Sequence, residues 1–110
     1  MRIVRIEGLP DDPLAASARF HAQDLPALPA PSEDLLLVFP EADHTHKAWR
    51  LAAVQSLARA AVPHRVNAVS GGGEAAVSAA AAYLAAAPGV TGHLLVLDDA
   101  GAGAVLPSSE

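Results

Sequence analysis

The sequence predicts an α/β domain, with a small parallel sheet of four strands and three helices in the order β-α-β-α-β-α-β. Three observations predict it. Short apolar runs closed by turn residues alternate with longer alanine-rich stretches of helical character. The run at 34–39, Asp-Leu-Leu-Leu-Val-Phe, is apolar without alternation, as is the run at 93–97. Strands buried on both faces read this way, and they belong to parallel sheets covered by helices. The length, 110 residues, suits one domain with one core, so residues 1–110 are read as a single unit.

Each element follows from local chemistry. Residues 2–9 form a strand with Val4 and Ile6 on one face and Arg5 and Glu7 on the other, beside Ile3. A half-polar strand suits a sheet edge. Asp12 is a helix N-cap with Pro13 at the first helical position, and the helix extends to about residue 23, with Leu14, Ala18 and Phe20 toward the core. The segment Leu-Pro-Ala-Leu-Pro-Ala-Pro-Ser at 25–32 is an extended connector, because three prolines interrupt it. Pro40 closes the second strand. A polar loop at 41–46 leads into a helix over about 45–62, stopped by Pro63. Its wheel places Leu51, Val54, Leu57, Ala58, Ala61 and Val62 on one broad face. Trp49 falls near the polar side and Arg50 inside the apolar arc, so both are off-pattern.

The third strand covers 65–69. Gly71-Gly72-Gly73 is a tight turn, since glycine accepts positive φ without steric cost. A helix over 74–87 ends at Pro88-Gly89, and Thr91-Gly92 introduces the last strand, 93–97. The tail at 101–110 carries Gly, Pro and Ser and is read as a loose end.

Composition excludes several functions. Apolar residues reach 52%, largely through 26 alanines, which favour helix and close packing. The net charge is −5 without a basic stripe, which argues against nucleic acid as a partner. With no cysteine, there is no disulfide, thiolate metal site or thiol nucleophile. No apolar run has the length of a membrane span and the N-terminus lacks a signal-peptide core, so a cytoplasmic protein is expected.

The stretch 47–101 carries a family resemblance. It holds a long helix opened by Lys47, then Arg-Val-Asn-Ala-Val with a Gly-rich exit, then Tyr83-Leu84-Ala85 in a helix, then Val90-Thr91-Gly92 and a hydrophobic strand ending near Asp98-Asp99. In order and spacing this resembles the C-terminal portion of the short-chain dehydrogenase/reductase family. The resemblance implies a truncated, degenerate Rossmann-like domain with strands in sequential order. It also implies that the first two helices share one face and the last helix lies on the other, through a crossover of unusual hand.

The same resemblance implies which chemistry is missing. The family signature is Tyr-x-x-x-Lys. Lys47 stands at the lysine position, and Asp43 then occupies the tyrosine position. An aspartic acid, with a pKa of about 3.9, does not hold a proton for an alkoxide at neutral pH. The turn after the first strand, Glu7-Gly8-Leu9-Pro10-Asp11-Asp12, has one glycine, a proline and acids where the family receives a pyrophosphate. No Asn-Asn-Ala-Gly segment and no well-placed catalytic serine is found, and Gly71-Gly72 enters the next helix without the family's substrate-binding excursion.

The expectation is therefore a catalytically silent protein without a cofactor and without a metal. It would self-associate or serve as the non-catalytic partner of a full-length reductase. The resemblance implies association mainly through the helix that Lys47 opens, and also through the last helix and strand, which makes Trp49, Arg50, Leu57 and Val62 candidate interface residues. Arg50 within the apolar arc would need an acidic partner. The rival reading is a small enzyme or ligand-binding protein using Asp43, His46 and Lys47 at the C-terminal ends of the strands, where open α/β sheets bind ligands. Glu41, Asp43, His44 and His46 also have metal-ligand chemistry, but acids beside a helix N-terminus are explained by its dipole. Tyr83 is expected to pack at a helix end, and His21, His64 and His93 to be structural or surface residues.

Overall fold

The computed structural model describes residues 1–97 and the backbone of 105–107. Strand β1 is Arg2–Arg5, β2 Leu35–Phe39, β3 Val66–Ser70, β4 Leu94–Leu97 and β5 Val105–Pro107. They form one sheet in the order β1-β2-β3-β4-β5. The first four are parallel, as expected, and β5 adds an antiparallel edge against β4. That fifth strand falls in the stretch read as a loose tail. It is short and carries a proline, so its sequence has no strand signature.

The first helical stretch has three parts. Helix α1 is Pro13–Arg19, a π turn covers Phe20–Asp24, and α2 is Leu25–Ala27. Asp12 caps α1 as expected, accepting from the Ala15 amide at 2.9 Å. Pro26 has no amide to donate, and the turn before it widens so that Leu25 N–H reaches Phe20 O. The expected extended connector therefore begins with a helical turn. Helix α3, Lys47–Ala61, follows a 3-10 turn at His44–His46, and α4 is Glu74–Ala85.

Strand alternation divides the core into two layers. Leu37, Phe39, Ala68 and Leu94 pack with Phe20, Ala53 and Val54, so α3 and the π turn after α1 cover one face. Leu36, Val38, Val69, Leu95 and Leu97 pack with Val77, Ala80 and Leu84, so α4 covers the other. The strands advance in one direction across the sheet while the covering helix changes sides. The third crossover therefore has the opposite hand to the first two, as the family resemblance implied.

The motifs that carried the resemblance hold one another in place. Asn67 is buried, donating from Nδ2 to Val90 O at 2.9 Å and accepting from His93 N–H at 3.0 Å. Thr91 Oγ1 accepts from the Val66 amide at 3.1 Å, and Gly92 N–H donates to Val66 O at 2.7 Å. The Arg-Val-Asn strand thus fixes the Val-Thr-Gly loop that aims β4 into the sheet. At the glycine turn, Gly71 and Gly72 have positive φ, whereas Gly73 is an extended N-cap. A Cβ on Gly72 would lie 2.8 Å from Leu97 Cβ, so both conformation and space require glycine there.

Below the sheet, Arg65 clamps three elements. Its Nε and Nη2 donate to Asp34 Oδ2 at 3.0 and 2.9 Å, and its amide donates to Asp34 Oδ1 at 2.8 Å. Its Nη1 reaches Leu84 O and Ala87 O at 2.9 and 2.6 Å, adding a second donor to carbonyls that also accept the Ala87 and Val90 amides. The backbone bond from Arg65, reinforced by its guanidinium, holds the Asp34 carboxyl below the usual carboxylate range against the opposing effect of burial.

Candidate functional site at the strand ends

Parallel sheets present ligand sites where the strands end at their carboxyl side. Here those ends are Pro40 to Asp43 after β2, Ser70 to Gly73 after β3, and the turn at Gly8 after β1.

The turn after β1 is already filled. Gly8 has positive φ, and the Arg19 guanidinium lies 3.5 Å from where a Cβ would stand. Arg19 Nη1 donates to Gly8 O in a short hydrogen bond. The N-terminus of α1 is taken by the Asp12 carboxylate. An anion arriving here would meet Asp11 and Asp12, one amide already bonded and the Arg19 guanidinium held against Gly8 O, rather than a cradle of free N–H groups.

After β2, Asp43 is engaged through one carboxylate oxygen. Asp43 Oδ1 accepts from Thr45 N–H at 2.9 Å and from the Thr45 hydroxyl in a shorter bond. Those two bonds, side chain first, hold its carboxyl below the ordinary range. His46 is buried, and its Nε2 meets Asp11 O at 2.8 Å. A carbonyl accepts only, so Nε2 carries the proton. Nδ1 then accepts from Trp49 Nε1 at 3.1 Å. Both nitrogens are engaged. His46 therefore bridges the β1 exit to α3 and offers no lone pair to a metal or a proton. Among the described residues no group of three His, Asp or Glu side chains converges.

Trp49 turns into its own chain. Its ring lies 5.6 Å from both Phe20 and Phe39, and the three rings form one cluster. The off-pattern position on the wheel is thus explained by an intramolecular aromatic contact with the π turn, which the helical wheel did not include. An intermolecular contact is not needed to cover this ring.

Arg50 is buried, and the expected acidic partner is not found among the described residues. Its Nη1 donates to Pro40 O at 2.8 Å and to Ser70 Oγ at 3.1 Å. The guanidinium carbon stacks 4.7 Å from the Phe39 ring centroid and 5.7 Å from that of Trp49. Nε is buried without a hydrogen-bond partner. Burial pulls the guanidinium pKa down to about 10, so it stays charged at neutral pH.

Val62 also departs from the wheel. It is 73% exposed because the residue before Pro63 leaves the helix with ψ 131. Leu57 is half-buried against Val66 and Ala61. Tyr83, expected to pack, is 53% exposed. Of the four residues singled out for an interface, Trp49 and Arg50 face inward and Val62 faces out.

Of the rival trio, Asp43 and His46 are consumed by local bonds. Lys47 has no ion pair among the described residues. It borders a cavity of about 240 Å³ with Asp43, His46, Arg50, Ser70 and Val96. Sequence reasoning missed Ser70 and the cavity-side role of Arg50; the signal was a charge in the apolar arc, read as needing an acid. The Asp98-Asp99 pair lies outside the described residues. A more apolar cavity of about 120 Å³, between the proline connector and the end of α3, lies at the opposite end of the sheet from these groups.

Comparison with known proteins agrees with the motif-based resemblance and extends it. A family model described as SDR-like, short chain dehydrogenase-like protein, matches residues 4–97. The match begins inside β1 and ends with β4, so it includes most of the chain that precedes the stretch 47–101. No curated protein and no solved structure matches the chain. With most of its length matched, and with strands in sequential order around a crossover of opposite hand, the chain belongs to the short chain dehydrogenase-like family.

Proposed function

We propose that this chain is a catalytically silent short chain dehydrogenase-like domain that acts by association, with a second copy or as the non-catalytic partner of a full-length reductase. The observation that carries the reading is how the chain uses its acids at the strand ends. Asp12 accepts from the Ala15 amide in the turn where a nucleotide phosphate would need free donors, and Asp43 accepts from the Thr45 amide at the entry to α3. Asp43 also stands where the family places its tyrosine, and no phenol takes that place.

The positive half of the reading rests on exposed apolar side chains. Leu14 is 80% exposed and Val62 73%, with Tyr83 and Val96 also open to solvent. Burying one such aliphatic side chain gains roughly 1.5–3 kcal/mol. The inward packing of Trp49 and Arg50 leaves Val62, the C-cap of α3, as the most exposed of the four candidates, with Leu57 half-buried. Light scattering of wild type is expected to give a mass above the 11.2 kDa of one chain. Val62→Glu is expected to return it to the single-chain mass with an unchanged circular dichroism spectrum. An unaltered mass in the variant would remove α3 from the interface. The rival reading as an acid–base enzyme loses support because Asp43 and His46 are engaged in structural bonds.

A further inference from the structure

We propose that the cavity at the strand ends binds a short-chain monocarboxylate, held between the Lys47 ammonium and the free edge of the Arg50 guanidinium. This goes beyond the association reading and does not rest on it. The starting point is an unmet demand. Arg50 is 2% exposed, yet among the described residues only Nη1 has partners, both of them neutral oxygens. Nε is buried and unpartnered, and Nη2 makes no hydrogen bond among the described residues. Nε and Nη2 together form the edge of a guanidinium that matches the two oxygens of a carboxylate. A buried cation with an idle edge is costly unless an anion meets it.

The surroundings define the anion. The cavity of about 240 Å³ bordered by Arg50 also has Lys47 and Ser70 in its wall. Ser70 Oγ accepts from Arg50, which leaves the hydroxyl proton free to donate. The fixed charges are Lys47 and Arg50 against Asp43, one positive charge in excess. A monoanion neutralises that excess, whereas a phosphate dianion overcharges it. The rest of the wall is the His44 ring and the apolar Ala42, Leu94 and Val96, and the apolar part suits an alkyl tail. His46, with both nitrogens engaged, contributes shape rather than charge.

The test is titration calorimetry of the intact wild-type chain with hexanoate at fixed ionic strength, with hexanamide and inorganic phosphate as controls. Saturable binding of hexanoate and none of hexanamide is expected. Lys47→Gln is expected to weaken it roughly tenfold or more, and Ser70→Ala roughly threefold. These variants leave the buried guanidinium in place, so they remain informative if Arg50→Gln does not fold. Equal binding of hexanamide, tighter binding of phosphate, or unchanged affinity in both variants would overturn the proposal. Asp98→Asn combined with Asp99→Asn distinguishes an internal counterion. Hexanoate binding that appears only in that double variant would mean Arg50 is already paired within the chain, and would also overturn it.

Discussion

Trp49→Glu is expected to lose about 3 kcal/mol of stability, with the midpoint of urea unfolding shifted and its slope unchanged. The ring touches Phe20 and Phe39 at centroid distances of 5.6 Å, and its N–H is bonded to His46 Nδ1 at 3.1 Å. Substitution removes the aromatic contacts, breaks that hydrogen bond and places a carboxylate beside an apolar cluster, each of which is unfavourable. Trp49→Phe keeps the ring contacts and is expected to recover most of the loss. A Trp49→Glu variant with wild-type stability and altered mass would instead make Trp49 an intermolecular contact.

Arg65→Met is expected to cost about 3 kcal/mol, because one side chain serves Asp34, Leu84 O and Ala87 O at once. The methionine fills similar space, so the loss reports bonds rather than a cavity. The same clamp gives a pH dependence. The Asp34 carboxyl is held below its ordinary value in the folded chain, first by the Arg65 amide and then by the guanidinium. A group depressed in this way contributes fully above its unfolded value, about 3.9, and that contribution disappears as pH falls through the folded value. Wild type is therefore expected to be more stable than Asp34→Asn at pH 6, with the gap narrowing below about pH 4. A gap that stays constant from pH 6 to about pH 2 would contradict the role assigned to this carboxylate.

Elements whose signals are local were legible in the sequence. The apolar runs of β2 and β4, the Asp12-Pro13 helix start and the glycine turn before α4 each depend on a few neighbouring residues, and each stands where its chemistry places it. The side change of α4 was legible only through the family resemblance, since the general handedness rule points the other way. What stayed hidden depends on distant contacts. Trp49 looked exposed because the wheel of α3 does not know that a widened turn brings Phe20 beneath it. Arg50 looked as though it required an acid because the carbonyl of Pro40 and the hydroxyl of Ser70 come from two different strand ends. His46 looked like a proton carrier until Asp11 O, 35 positions earlier, and Trp49 claimed its two nitrogens. Val62 left the helical face for a local reason, the proline that follows it, and this was readable in principle.

Titration with NADH and NADPH tests the central claim most directly, because it asks whether the closed turns at Gly8 and Asp43 still accept a nucleotide. With Asp12 bonded to the Ala15 amide, Asp43 to the Thr45 amide and Arg19 over Gly8, the account predicts no saturable heat for either nucleotide. Saturable binding of either one in the micromolar range, about −8 kcal/mol, would contradict it.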